Sequence, residues 1–395
     1  MHTVLVYRRS LLAYSETFIR AQILAYRTWR GILVGGRRIG ELGLDGLETR
    51  VLEARGVPFA HRALDIRLRL GIPPNISMLR RENPALVHAH FGMDGVDAAP
   101  IARALKVPLL ITLHGYDINI AKEWWERGHG GQTRRDYPRR LLRLAERPDV
   151  HFVAVSDGIR RRAMEWGIAG EKITTCFIGI DTKQFSPGPT PVQNRDRRVL
   201  FVGRLIENKG CEYLIRAFGK VLRTIPDAQL IVVGDGPLKC TLAQLVDDIG
   251  IGASVHFRGR LLNSEVKLEL DKARVFCQPS VRIANGNFEG LGIVSLEAQA
   301  CGVPVVTSAN GSSIENILDG ITGYAFRQRD VDDLAAKLTV LLSDGKIASA
   351  MSEEAPRFMA AKFDIQNCTQ KLELLYDEWR NSVGRVPDGS QRMPQ

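Results

Sequence analysis

No stretch of the 395-residue sequence approaches the ~20 consecutive apolar residues that a membrane-spanning helix needs. The opening segment, MHTVLVYRRSLLAYSETF, has only a short apolar run, followed by arginines and no small-residue cleavage site, so a secretory leader is not expected and cytoplasmic residence is. Cysteine is sparse, and no CxxC pair occurs among Cys176, Cys211, Cys240, Cys277, Cys301 and Cys368. That spacing excludes a disulfide framework or a zinc ribbon and suits reduced, mostly buried thiols. Internal repeats and low-complexity tracts are also missing. Hydrophobic residues make up 45% and charged residues 25%, the balance of a globular chain with a core, and this length suits two domains.

Acidic residues are scarce in the first half relative to basic ones. Residues 1–190 hold 29 Lys+Arg against 19 Asp+Glu, whereas residues 191–395 hold 25 of each, so one half carries the whole net charge of +10. A one-sided basic field points to an anionic partner: a membrane surface, a phosphorylated substrate or a nucleic acid. Nucleic acid is the least expected, because no aromatic platform or reader motif accompanies the charge.

Short apolar runs at 4–7, 31–34, 85–88, 109–112 and 152–155 predict strands, most of them followed by a helical pattern. The Gly- and Pro-rich segment 177–191 predicts an interdomain linker. Strands are then expected at 199–202, 230–233, 255–257, 275–277 and 303–306, with helices at 211–221, 238–248, 292–300 and 365–379. Alternating strands and helices of this kind make an α/β protein with two doubly wound parallel sheets, each binding ligand at its strands' carboxyl ends. The expected division is 1–186, 187–364, a C-terminal helix over 365–383 packing back toward the first domain, and a disordered tail at 384–395.

Three segments carry chemistry. In Gly203-Arg204-Leu205-Ile206-Glu207-Asn208-Lys209-Gly210, a strand ends in glycine and two cations stand five apart before a helix. Glycine permits close backbone approach, and Arg204 and Lys209 can bracket a diphosphate; a solvated basic loop would contain the same residues. Gly234-Asp235-Gly236-Pro237 is a strand–helix turn, with Pro237 expected at the first helical position, and does not fit the GxGxxG dinucleotide pattern. In Glu289-Gly290-Leu291-Gly292-Ile293-Val294-Ser295-Leu296-Glu297, two acids flank a helix N-terminus able to bind anionic phosphate. Glu297 sits among Leu296, Ala298 and Ala300, where a solvated carboxylate is unexpected.

In this order, and with Pro304-Val305-Val306 following, these segments closely resemble the family 4 (group 1) retaining glycosyltransferases of the GT-B fold. The resemblance spans residues 199–325, and its combination of motifs is far more specific than any one of them. The first half resembles the family more loosely, through Ser15-Glu16-Thr17-Phe18-Ile19, His88-Ala89-His90-Phe91-Gly92 and Thr112-Leu113-His114-Gly115-Tyr116-Asp117. These look like the subgroup that builds bacterial exopolysaccharides such as colanic acid and amylovoran. One departure is visible: Leu12-Ala13-Tyr14-Ser15 replaces a glycine-rich loop that in many members touches the donor phosphate, so Ser15 or Thr17 would contribute instead.

The resemblance implies a GT-B enzyme transferring a hexosyl group, with retention, from a nucleotide-diphosphate sugar to a lipid-diphosphate-linked or saccharide acceptor. Arg204 and Lys209 would neutralise the diphosphate, Glu297 would hold the ribose hydroxyls, Glu289 the transferred sugar, and His114 would reach the sugar near the reacting carbon. Gly203, Gly234, Arg258, Gly290, Leu291, Gly292 and Ile293 would complete the donor site. Ser15, Thr17, His88, His90, Tyr116 and Asp117 would face the acceptor. A sugar phosphorylase, a nucleotide-sugar epimerase or a non-catalytic basic membrane protein are the alternatives.

No cofactor and no essential metal are expected. Asp330-Val331-Asp332 looks like a metal-binding DxD but precedes a helical run, which predicts capping. The histidines lack ligand spacing. Arg139, Arg143 and Arg147 recur every four residues beside Leu141, Leu142 and Leu144, which suits either an anionic membrane or an ordinary solvated helix face.

Overall fold

The computed structural model describes residues 1–13, 16–38, 43–52 and 60–382. Tyr14, Ser15 and the tail expected at 384–395 lie outside the described residues. Seven strands form the first sheet: β1 (His2–Leu11), β2 (Trp29–Arg38), β3 (Glu48–Val51), β4 (Pro84–His90), β5 (Leu109–Leu113), β6 (Val150–Ala154) and β7 (Ile173–Thr175). Six form the second: β8 (Arg198–Val202), β9 (Gln229–Val233), β10 (Val255–Gly259), β11 (Val275–Gln278), β12 (Val305–Ser308) and β13 (Gly323–Phe326). Their orders are β3-β2-β1-β4-β5-β6-β7 and β10-β9-β8-β11-β12-β13, and the pairings are parallel. This is the two-domain, Rossmann-like architecture of the GT-B class.

The central strands are buried on both faces, so they are apolar without alternation; every residue of β5, β6 and β11 is buried. That is why short apolar runs revealed them. The strands that the sequence did not announce, β3, β7 and β13, are edge strands of three or four residues. An edge strand faces solvent on one side and needs no apolar run.

Each sheet reverses its winding once, between β1 and β4 and between β8 and β11. Ligands of open parallel sheets bind beyond the strand carboxyl ends at such points. The helix Ile365–Ser382 packs against the first sheet. Tyr376 there hydrogen-bonds the Tyr26 hydroxyl at 2.8 Å and His88 Nδ1 at 2.6 Å, while the Glu373 carboxylate accepts the N–H groups of Arg27, Thr28 and Trp29. Within the segment expected as a linker, Ile180 pairs with Asp364, closing the chain back on itself.

Several local expectations are settled by geometry. Asp330 caps the helix Val331–Ser343, accepting the N–H groups of Asp332 and Asp333. Pro237 stands outside its helix, which begins at Lys239 after Leu238 as N-cap. Cys240 is exposed and the other five cysteines are buried, all unpaired. The basic helix runs Tyr137–Ala145 and buries Tyr137, Pro138, Leu141 and Leu144. Arg139 and Arg143 stay exposed, whereas Arg147 lies beyond its end and is bound to Asp149 at 2.9 Å. Among the described residues, no helix is long and apolar enough to cross a membrane.

Candidate active site

The two domains meet along one edge of a cleft, where backbone touches backbone. A Cβ added to Gly290 would stand 1.8 Å from the carbonyl oxygen of His114, so only glycine allows the loop before the helix Ile293–Ala300 to rest on the first domain. Around that contact, Ser156 donates to the Gly290 carbonyl at 3.1 Å, Asn119 Nδ2 donates to the Phe288 carbonyl at 3.1 Å, and Glu315 accepts the N–H groups of Asp157 and Gly158.

Two adjoining cavities fill the cleft. One, of about 300 Å³, is lined by Phe18, Phe91, His114 and Tyr116 from the first domain, and by Gly203, Arg204, Lys209, Glu289, Gly290, Leu291, Gly292 and Ile293 from the second. The other, of about 490 Å³, is lined by Thr17, Gly203, Arg204, Gly234, Asp235, Arg260 and Glu297 among others. Gly203, Arg204, Ile293 and Val294 border both, so the cavities form one continuous site beneath both winding reversals.

The second domain builds its wall largely from backbone. The turn after β9 passes so close to the β8 loop that a Cβ on Gly234 would lie 1.9 Å from the Gly203 carbonyl oxygen; its φ of +133° is likewise one that favours glycine. Gly292 caps Ile293–Ala300, whose first N–H groups have no carbonyl behind them. They give the cleft a partial positive charge beside Arg204 and Lys209. Arg204 is exposed. Lys209 Nζ lies 2.5 Å from Glu289 Oε2, and Ser280 donates to the same oxygen at 3.2 Å. Burial pushes the Glu289 carboxyl up, but the Lys209 charge and hydrogen bonds from Lys209, Ser280 and the Gly290 N–H outweigh it and hold the group below the usual carboxylate range.

Glu297 has no such partner among the described residues, and burial pushes its pKa from 4.5 up to about 8. A buried acid left without a charged neighbour on the wall of a cavity is suited to hydroxyl groups, which can both donate and accept.

The first domain contributes side chains held by a buried polar network. His114 is fixed from behind by His90, Nδ1 to Nε2, at 3.0 Å. Burial, together with the Arg8 charge and the neighbouring His88, keeps its pKa well below 6.5, so the imidazole is neutral. Arg8 lies over the Phe91 ring, is paired with Glu16 and Asp94, and donates to the His90 carbonyl at 3.1 Å.

Four expected positions are corrected. His88 does not reach the acceptor side; it is fully buried, bound to Tyr376 and to the Thr112 hydroxyl at 2.6 Å. Asp117 is also fully buried and accepts the N–H groups of Gly92, His114 and Gly115, so it shapes the loop carrying His114. Burial raises its pKa, opposed by those backbone hydrogen bonds. Arg258 is absent from both cavity walls; it turns toward Glu269 at 3.5 Å, and Arg260 lines the site instead. The pairing of β10 with β9 shifts register between Phe257 and Gly259, which leaves residue 258 as the extra one of an irregular pairing, and Arg260 follows the strand end after Gly259 at φ +69°. His90 lies behind His114 and does not line the cleft. Tyr116 and Thr17 do line it, while Ser15 lies outside the described residues.

Sequence reasoning missed Phe18, Phe91, Gln278, Ser280 and Arg260 as wall residues. Gln278 and Ser280 follow from placing ligand at the carboxyl end of β11; the aromatic pair carries no local signal.

Comparison with known proteins agrees with this fold. Residues 34–184 match the Glycosyltransferase Family 4 model and residues 182–358 match Glycosyl transferases group 1. A GDP-mannose-dependent alpha-(1-6)-phosphatidylinositol monomannoside mannosyltransferase of Mycolicibacterium smegmatis is 38% identical over 182 residues, 44% of this chain and 48% of that protein. A putative colanic acid biosynthesis glycosyltransferase of Escherichia coli is 29% identical over 252 residues, 63% of this chain and 59% of that protein. These matches span about half to three-fifths of the relatives' own length. Anabaena HepE, solved in complex with UDP and glucose, superposes with a TM-score of 0.76 at 18% identity, over 96% of this chain and all of that one. The fold, both family matches and the cleft together place this chain in the family 4 (group 1) glycosyltransferases of the GT-B class.

Proposed function

We propose that the cleft carries out retaining transfer of a hexosyl group from a nucleoside-diphosphate sugar, without an essential metal, to a lipid-diphosphate-linked or saccharide acceptor in exopolysaccharide assembly. The observation that carries this reading is the opposition of Arg204, Lys209 and the Gly292-capped helix end to His114 across one cavity, with Glu289 on its wall and Glu297 on the wall of the adjoining cavity. The diphosphate lies between the two cations, its negative charge growing as the glycosidic bond breaks. Lys209 exchanges its contact with Glu289 for a phosphate oxygen, which frees Glu289 to accept the sugar's hydroxyls. Glu297 takes the ribose hydroxyls. The acceptor hydroxyl forms its bond to the anomeric carbon on the face the diphosphate leaves, and its proton passes to a departing phosphate oxygen. No carboxylate base is then needed, unlike in a glycosidase pair.

The M. smegmatis relative supports GDP-mannose as donor and the E. coli relative supports an exopolysaccharide acceptor. Exposed Arg139 and Arg143 support a peripheral position at an anionic membrane face on the cytoplasmic side.

The test is thermal-shift screening against UDP, GDP, ADP, TDP and their sugars without metal, followed by NMR of the anomeric linkage in the product. The expected result is an upward shift with one nucleotide family that Lys209→Ala abolishes, and a product retaining the donor's configuration. An inverted product overturns the mechanism; donor turnover with phosphate alone makes the chain a phosphorylase.

A further inference from the structure

Three histidine rings run from the C-terminal helix to the cleft. His88 packs on His90 with centroids 4.4 Å apart, and His90 stacks on His114 at 5.2 Å with planes 27° from parallel. His88 is fully satisfied, Nδ1 by Tyr376 and Nε2 by Thr112. The next pair shares one hydrogen bond, His90 Nδ1 to His114 Nε2, at 3.0 Å.

We propose that His90 is a positioning residue: by donating its Nδ1–H to His114 Nε2, it holds His114 as the Nδ1–H tautomer and makes it a hydrogen-bond donor to the sugar in the cleft. The inference rests on reading the cleft as the sugar site. It follows from counting protons. Burial and neighbouring cationic or titratable groups keep both rings neutral, so each carries one N–H, and one of them lies in the shared bond. If His114 donated, His90 would carry its proton on Nε2, which is buried and has no partner among the described residues. An orphaned buried N–H is the costlier arrangement; a bare ring nitrogen with a lone pair is the alternative. With His90 as donor, the proton of His114 must sit on Nδ1, for which no partner is found among the described residues, and His114 lines the cavity. The His90 backbone is anchored by Arg8 through its carbonyl, and its ring is backed by His88 and, behind that, Tyr376. The ring pair is therefore held on both sides.

The experiment is 15N NMR of the full chain labelled at the histidine ring nitrogens, with His114→Gln identifying the His114 signals by their loss. The expected spectrum shows His114 protonated at Nδ1 and bare at Nε2; a bare Nδ1 overturns the proposal. In His90→Leu, His114 should revert toward the Nε2–H form usual in water, with kcat falling about 10- to 100-fold at unchanged donor KM. His90→Asn, whose amide can donate from near the Nδ1 position, should restore most of both. Retention of tautomer and kcat in His90→Leu would overturn the assignment. The NMR result stands whether or not any sugar is transferred, so it fails separately from the proposed reaction.

Discussion

The two domains share an architecture but build their halves of the cleft by opposite means. The second lines it with backbone: glycines at strand ends, a helix terminus, and Arg204 and Lys209 in the loop after β8. The first lines it with His114, Phe18, Phe91 and Tyr116, whose placement depends on Arg8, His90 and Asp117 buried behind them. Backbone geometry is dictated by neighbours in sequence, so it leaves motifs. A buried side-chain network is assembled from segments as far as 82 residues apart and leaves almost none.

The contrast can be broken most directly at Lys209. Lys209→Ala removes a fixed cation from the developing diphosphate charge and should lower kcat/KM by about 100- to 1,000-fold in a transfer assay. Loss below tenfold would mean that the backbone wall alone carries the donor. Where the halves touch, Gly290→Ala drives a Cβ into the His114 carbonyl and should cost about 1–3 kcal/mol in urea unfolding, with loss of donor binding. On the first domain, Tyr376→Phe deletes the bonds to Tyr26 and His88. A destabilisation of about 1–3 kcal/mol, read from the denaturation midpoint, is expected because His88 Nδ1 loses its partner.

Glu297 sharpens the comparison through pH. Its folded pKa of about 8 lies above the ordinary 4.5, so the folded chain keeps a proton that the unfolded chain releases between those values. Stability from this site therefore falls as pH rises across that interval. Glu297→Gln should match the parent at pH ~4 and exceed it by at least about 1 kcal/mol at pH ~8.5 in urea melts without donor. An equal gap at both pH values would place the cause elsewhere. The smallest effect is expected for Arg258→Ala, which should leave donor KM unchanged while Arg260→Ala raises it; the reverse would return Arg258 to the site.

Much of the fold was legible. The doubly buried strands and the helix Cys211–Val221 appear in the sequence at nearly their observed bounds, because burial on both faces demands unbroken apolar runs. The donor-side residues Gly203, Arg204, Lys209, Glu289, Gly290 and Glu297 converge on one cleft. Arg258 and Arg260 were not separable, since the register shift between Phe257 and Gly259 and the strand end at Gly259 separate them, and neither leaves a sequence signal. His88, His90 and His114 look alike in sequence. They differ in that a helix beginning at Ile365 contributes Tyr376 to one of them, and only the last of the row meets the cavity.

By itself, the sequence determined that this chain folds into two parallel-sheet domains and that its second half carries the glycine turns and the cation pair that come to line the cleft, because periodic burial and glycine-dependent turns are local properties. Only the tertiary structure decided which histidine faces the cleft, which acid lacks a partner among the described residues and which arginines line the cavities. Those outcomes depend on burial and pairing between segments far apart in the chain, and on an interdomain contact that a single Cβ would prevent.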